Sequence, residues 1–257
     1  MPRKGPSSRR TREPGLSDVA GPDLFPVASE ASADAPHYHG HRERLRERFL
    51  QGGPDALPDY ELLELLLFSA IPRKDTKPIA KALIAHFGSF AEVISADPVK
   101  LREFDDIKDV AVTTLKAVQA GAQRLLRAGA LDAPVIASWQ ALVDYCKAKM
   151  AFDSVEQFRV LYLDAKNRLV RDEVQSSGTV NNTAVYPREV VRRALAANAS
   201  AVIMVHNHPS GDPRPSQADI DMTRKVKDAC AAVGLTLHDH VVVGRGGYVS
   251  FKSQGLL

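Results

Sequence analysis

Residues 201–234 read AVIMVHNHPSGDPRPSQADIDMTRKVKDACAAVG, and the order of patterns within them decides the fold class. The apolar run AVIMV is what a strand covered on both faces looks like. It leads into His206-Asn207-His208, where strand alternation sends both imidazoles to one face and Asn207 to the other. Pro209, Pro213 and Pro215 then restrict the loop's path. Ser216 opens a helix with Met222, Val226, Ala229 and Val233 on one side, and Gly234 ends it. A strand, a stiff loop and a returning helix place Asp219, in the first helical turn, over the end of the strand that carries the histidines.

Working outward, the same alternation of elements continues. QFRVLYLD (157–164) and LVRDEV (169–174) are β-rich runs separated by the turn-like AKNR, and the polar loop QSSGTVNNT (175–183) follows them. In YPREVVRRALAAN (186–198), Pro187 suits a first helical turn, Val190, Val191, Ala194 and Leu195 make an apolar face, and Asn198 suits the C-terminal end. Downstream, LTLHDHVVV (235–243) and YVSF (248–251) flank GRGG as two last strands. The order strand, strand, helix, strand, helix, strand, strand implies an α/β domain with a mixed sheet flanked by helices, over 131–257.

The preceding region has a different period. From 37 to 130 it is helical, in HRERLRERFL, DYELLELLLFSA, TKPIAKALIAHFG, SFAEVI and VAVTTLKAVQAGAQRLLRAG. Ile79, Leu83 and Phe87, or Leu115, Val118, Ala122 and Leu125, recur at helical spacing, and Gly88 and Gly129 are read as stops. LDAPVIAS (131–138) reads as a boundary, followed by the amphipathic WQALVDYCKAKM. Residues 1–36, rich in Pro, Ser, Gly, Ala and charge, read as a disordered tail.

Composition excludes little by itself. The chain has 257 residues, 44% of them hydrophobic, enough for a core able to shelter a site from bulk water. No apolar stretch approaches the ~18 residues of a membrane span. The basic N-terminus (Arg3, Lys4, Arg9, Arg10, Arg12) is not followed by an apolar segment of signal-peptide type, so the expected location is cytoplasmic. Cys146 and Cys230 form no C-x-x-C pair and read as buried small hydrophobes. A net charge of +3 does not demand a nucleic-acid partner.

The chemistry sits in His206, His208, Ser216 and Asp219. Two imidazoles, one carboxylate and a free fourth position match an open, hydrolytic zinc site, expected to hold one zinc per chain. The same donor set also suits ferrous iron. Each fragment has a plainer reading. The H-x-H spacing recurs at His37, His39 and His41 and at His238 and His240, and Ser216-x-x-Asp219 is a capping box in its own right. His238, Asp239 and His240 read as structural residues of a later strand. The pattern is not H-E-x-x-H, nor is there an H-x-E with P-C-x-x-C, so zincin and zinc-deaminase sites are excluded.

The stretch HNHPSGDPRPSQAD closely resembles the RadC version of the JAMM motif: H-x-H, seven residues, Ser, two residues, Asp. GTVNNTAVYPREVVRRAL, AVIMV, LHDHVVVG and YVSF extend the resemblance over roughly 131–257, with the helical part matched more loosely. It implies a C-terminal MPN (JAB/JAMM) domain preceded by a small helix-hairpin-helix-like domain. It further implies a metalloprotease-like activity on a protein or peptide substrate, by a zinc-activated water, with Glu189 as general base and Ser216 hydrogen-bonding the oxyanion. Glu189 also fits a solvated first-turn acid favoured by the helix dipole.

Proteins of this type carry a glycine-containing hairpin whose amides can approach phosphate. Here FDDIKDVAVTTLKA puts Asp105, Asp106 and Lys108 in its place, and two acids repel phosphate. Basic faces remain at Arg42, Arg44, Arg46, Arg48, Lys74, Lys77 and Lys81. Two function classes fit these residues and the resemblance: a zinc-dependent peptidase or isopeptidase, and a DNA-associated repair or recombination module in which the JAMM site is accessory.

Overall fold

A computed structural model describes residues 38–131, 134–135, 138–178 and 185–257. The expected tail over 1–36, part of the boundary segment 131–138 and most of the loop 175–183 lie outside the described residues. Residues 38–257 form one compact unit.

Its first part is helical: α1 (Tyr38–Gly52), α2 (Asp59–Ala70), α3 (Lys77–Phe87), α4 (Phe90–Ser95), α5 (Pro98–Arg102) and α6 (Asp109–Leu131). Leu63, Leu67, Leu83, Leu101, Ile107 and Leu115 are fully buried in its core. Gly88 ends α3 at a φ of 110°. Two expectations fail here. Gly129 does not stop α6, which runs on to Leu131, because its lack of a side chain weakens a helix without breaking it where packing continues. Ala122 and Leu125 of the expected stripe face outward, and Leu126 packs inward instead. The short α5 was not anticipated; Asp97 caps it by accepting the Val99 amide. Through Leu115 α6 belongs to the helical core, and through Leu126 and Ala130 to the next core.

The second part comprises α7 (Trp139–Met150), β1 (Gln157–Leu163), β2 (Leu169–Ser177), α8 (Pro187–Ala196), β3 (Ala201–Asn207), α9 (Gln217–Ala231), β4 (Thr236–Gly244) and β5 (Gly247–Ser250). The five strands lie in the order β2-β1-β3-β4-β5, and only β3 and β4 are parallel, so the sheet is mixed. All seven residues of the central β3 are buried, because helices cover both faces. Ala201, Ile203 and Val205 pack with Leu142, Tyr145 and Met150 of α7; Val202 and Met204 pack with Val190 and Ala194 of α8 and Val226 and Cys230 of α9. Burying each valine, leucine, isoleucine or methionine among them stabilises the fold by about 1.5–3 kcal/mol. Cys146 and Cys230 are both buried.

The inward face of α9 differs from the expected one. Val233 is exposed, whereas Thr223 is buried beside Val226 and Cys230. On α8, Asn198 follows the helix end at a φ of 50°, as its small polar side chain permits, and Leu195 is exposed. No helix among the described residues is long and apolar enough to cross a membrane.

Candidate metal centre

Strand parity decides which way the histidines point. His206 continues the series Val202 and Met204, so it faces α8 and α9 and is only 1% exposed. The Asn207 side chain points the other way: its Oδ1 accepts the Gln157 amide at 2.8 Å and its Nδ2 donates to the Val155 carbonyl at 3.1 Å. His208 follows the strand, held by its own amide on the Val243 carbonyl at 3.0 Å.

The loop back to α9 is pinned at Gly211, whose φ of 90° suits glycine. The Gly211 amide donates to the His208 carbonyl at 2.9 Å, and its carbonyl accepts the Gly246 amide at 3.1 Å. A Cβ on Gly244 would lie 2.4 Å from the Gly211 oxygen, so the GRGG turn must approach the loop without a side chain there. Gly244→Ala is expected to cost about 1–3 kcal/mol, as other overpacking does, and to weaken metal binding by displacing His208. Thermal denaturation and zinc competition check both effects.

In the resulting geometry His206 Nε2 lies 3.0 Å from His208 Nε2 and 3.4 Å from Asp219 Oδ1, and His208 Nε2 lies 3.7 Å from Asp219 Oδ2. One atom from each of the three residues falls within 4.8 Å of the others. Ser216 and Asp219 make the full capping box: Asp219 Oδ2 accepts the Ser216 amide at 2.7 Å and Ser216 Oγ accepts the Asp219 amide at 3.2 Å. The Ser216 hydroxyl also donates to Asp219 Oδ2 at 2.6 Å. The capping and ligand readings of Asp219 are therefore compatible. One oxygen is tied to the helix start while the other turns to His206.

The electrostatics set one carboxylate beside two imidazoles. Burial pushes His206 down to about 4, keeping it neutral. The Asp219 carboxylate, facing it at 3.7 Å, raises His208 against its own burial. Burial alone would raise Asp219, but the nearby His208 and His206 and the two bonds from Ser216 hold it well below the usual carboxylate range. His208 Nδ1 donates to the Asp212 carbonyl at 2.8 Å, which leaves Nε2 for the centre. Two imidazole nitrogens facing each other beside a carboxylate need a proton or a metal ion between them. The donor set and its spacing fit zinc.

Glu189 sits in the first turn of α8, and its carboxylate accepts from Arg192 Nε at 3.1 Å and Nη2 at 2.8 Å. That bond lowers its pKa. The triad and Ser216 come together; Glu189 is engaged by its own helix. His240 and Thr223 join the centre unforeseen. His240 Nε2 lies 2.8 Å from His206 Nδ1, and Thr223 Oγ1 lies 2.6 Å from His240 Nδ1. A threonine within the apolar stripe of a helix, one turn after Asp219, was the available signal.

The comparisons agree with this architecture. Residues 136–256 match the family described as RadC-like JAB domain, and residues 39–113 match the UPF0758 N-terminal family. A UPF0758 protein of Rhodobacter capsulatus is 58% identical over 213 residues, covering 83% of this chain and 100% of the relative. The chain belongs to the UPF0758 family, of RadC type. A second UPF0758 protein, from Ruegeria pomeroyi, is 55% identical over 217 residues, covering 84% of this chain and 97% of its own. Within this family assignment the JAB domain carries the candidate metal centre, and the UPF0758 N-terminal match covers the helical part. There Asp106 pairs with Lys74, Arg48 with Glu61, and Arg42 donates to the Ile71 and Pro72 carbonyls, so several of the cations noted above serve the helical fold itself.

Proposed function

We propose that the JAB domain is a zinc-dependent hydrolase that cleaves a peptide or isopeptide bond of a protein or peptide substrate. The gathering of His206 Nε2, His208 Nε2 and the Asp219 carboxylate within 4.8 Å of one another supports this reading most directly. These three residues would hold the ion, which when bound supplies Lewis acidity towards a carbonyl and lowers the pKa of a water. Asp219 brings the negative charge, and Ser216 orients it.

Two residues complete the chemistry. Glu189 would take the water's proton on its carboxylate and return it to the leaving amine, for which it has to exchange its bonds to Arg192 for the water. An exposed ion pair of this kind is weak, so substrate binding can displace it. Ser216 has one hydroxyl proton, which it donates to Asp219 Oδ2. Donating to a developing oxyanion requires that proton to swing away, while the Ser216 amide keeps Asp219 in place.

Glu189→Gln tests the assignment of base against ligand. The variant is expected to bind zinc as the wild type does, about one per chain, while losing hydrolysis of any peptide or isopeptide found by screening. A folded wild type that takes up no zinc overturns the hydrolase reading. A Glu189→Gln variant that loses zinc reassigns Glu189 from base to ligand.

A further inference from the structure

The hydrogen bonds behind His206 run in one direction. Thr223 lies one helical turn after Asp219, and its hydroxyl is 2.6 Å from the Asp219 carbonyl oxygen. A carbonyl only accepts, so that bond uses the single hydroxyl proton. Thr223 Oγ1 must then accept from His240 Nδ1, also at 2.6 Å. A neutral imidazole carries one ring proton, which leaves His240 Nε2 bare to accept from His206 Nδ1 at 2.8 Å. His206 Nε2 is bare in turn, and it is the atom that faces His208 and Asp219. The reverse relay gives up the bond to the Asp219 carbonyl and puts a proton on His206 Nε2, closing it to a cation.

We propose that Thr223 and His240 are positioning residues that select the tautomer of His206, presenting its Nε2 as a ligand; the inference rests on the metal-site reading above. Thr223 is 1% exposed and His240 0%, so water does not substitute for either. A strand irregularity aims His240 into the relay. The register of β3 on β4 shifts between Val202, paired with Leu237, and Ile203, paired with Asp239. Leu237 faces α8 and α9, and regular alternation would bring Asp239 to the same side. The extra residue reverses the parity, so His240 lies beside Met204 on the His206 side and Asp239 turns to Ser250 and the Lys252 amide. Phe158 and Phe251, with ring centroids 5.6 and 4.4 Å from that of His240, keep the imidazole in place.

A purely structural role would move stability alone. The test therefore reads tautomers and zinc affinity in the full chain. Ring-¹⁵N-labelled protein, first free of metal, is compared by long-range ¹H–¹⁵N correlation for wild type, Thr223→Val and Thr223→Ser, with His206 and His240 signals assigned by single substitution. Zinc affinity follows from chelator competition. The wild type is expected to carry its protons on Nδ1 of both residues, Thr223→Val to show mixed tautomers and to bind zinc about 10–100-fold more weakly, and Thr223→Ser to restore both. A proton on Nε2 of His206 in the metal-free wild type overturns the relay whether or not zinc binds. Unchanged tautomers and affinity in Thr223→Val overturn it also. A wild type with the expected tautomers that takes up no zinc fails on the metal reading instead, and ends the claim that the relay presents a ligand.

Discussion

Asp219→Asn is expected to leave the protein folded and to lower its zinc affinity by well over 100-fold, beyond the roughly 10–100-fold typical of outer partners. The asparagine side-chain oxygen can still accept the Ser216 amide that Asp219 now holds at 2.7 Å, so α9 keeps much of its cap. What is lost is the negative charge facing His206 Nε2 at 3.4 Å and His208 Nε2 at 3.7 Å. Ser216→Ala is the complement: it removes the hydroxyl from the cap, costing about 1 kcal/mol, yet leaves the charge. Zinc per chain, chelator competition and thermal melts in chelator separate the two variants. If Asp219→Asn held zinc like the wild type, Asp219 would be a cap residue and no ligand.

The largest loss of stability is expected at Asp172, on the other side of the sheet. Its carboxylate takes Arg159 Nη1 at 2.5 Å and the hydroxyl of Tyr145 on α7, with the Arg159 and Asp172 side chains 10% and 4% exposed. Arg159 Nη2 donates to Gln157 at 2.9 Å. Asp172→Ala leaves a guanidinium buried without its counter-charge, which costs about 3–5 kcal/mol, a large part of the ~5–15 kcal/mol by which a domain is stable. Replacing both members, Arg159→Met with Asp172→Leu, is expected to recover part of it, because the desolvation cost of the charges disappears while the buried Tyr145 hydroxyl loses its acceptor. Urea denaturation of the single and double variants decides this. A single variant as stable as the wild type would mean that water reaches Arg159.

How much was legible before folding differs from element to element. The apolar run of β3, the proline loop and the capping box locate themselves, since each depends on neighbours a few residues away. The spacing from His206 to Asp219 similarly suffices to nominate three ligands, because one strand, one stiff loop and one helical turn have narrow geometry. Leu125 and Val233 went astray because a helical stripe read from sequence is wide enough to include the residue beside the one that packs. Gly129 did so because a glycine stops a helix only where packing stops too.

The amino-acid sequence by itself determined the alternation of elements and the mixed sheet, and nominated His206, His208 and Asp219 as candidate ligands, all consequences of local periodicity and fixed spacing. Tertiary structure alone decided that Asp219 can cap α9 with one oxygen and face His206 with the other, that Glu189 is engaged by Arg192, and that a register shift between β3 and β4 turns His240 rather than Asp239 towards His206. The physical reason is that orientation about a shared point depends on how separate elements pack. A one-residue slip in a strand reverses every side chain beyond it.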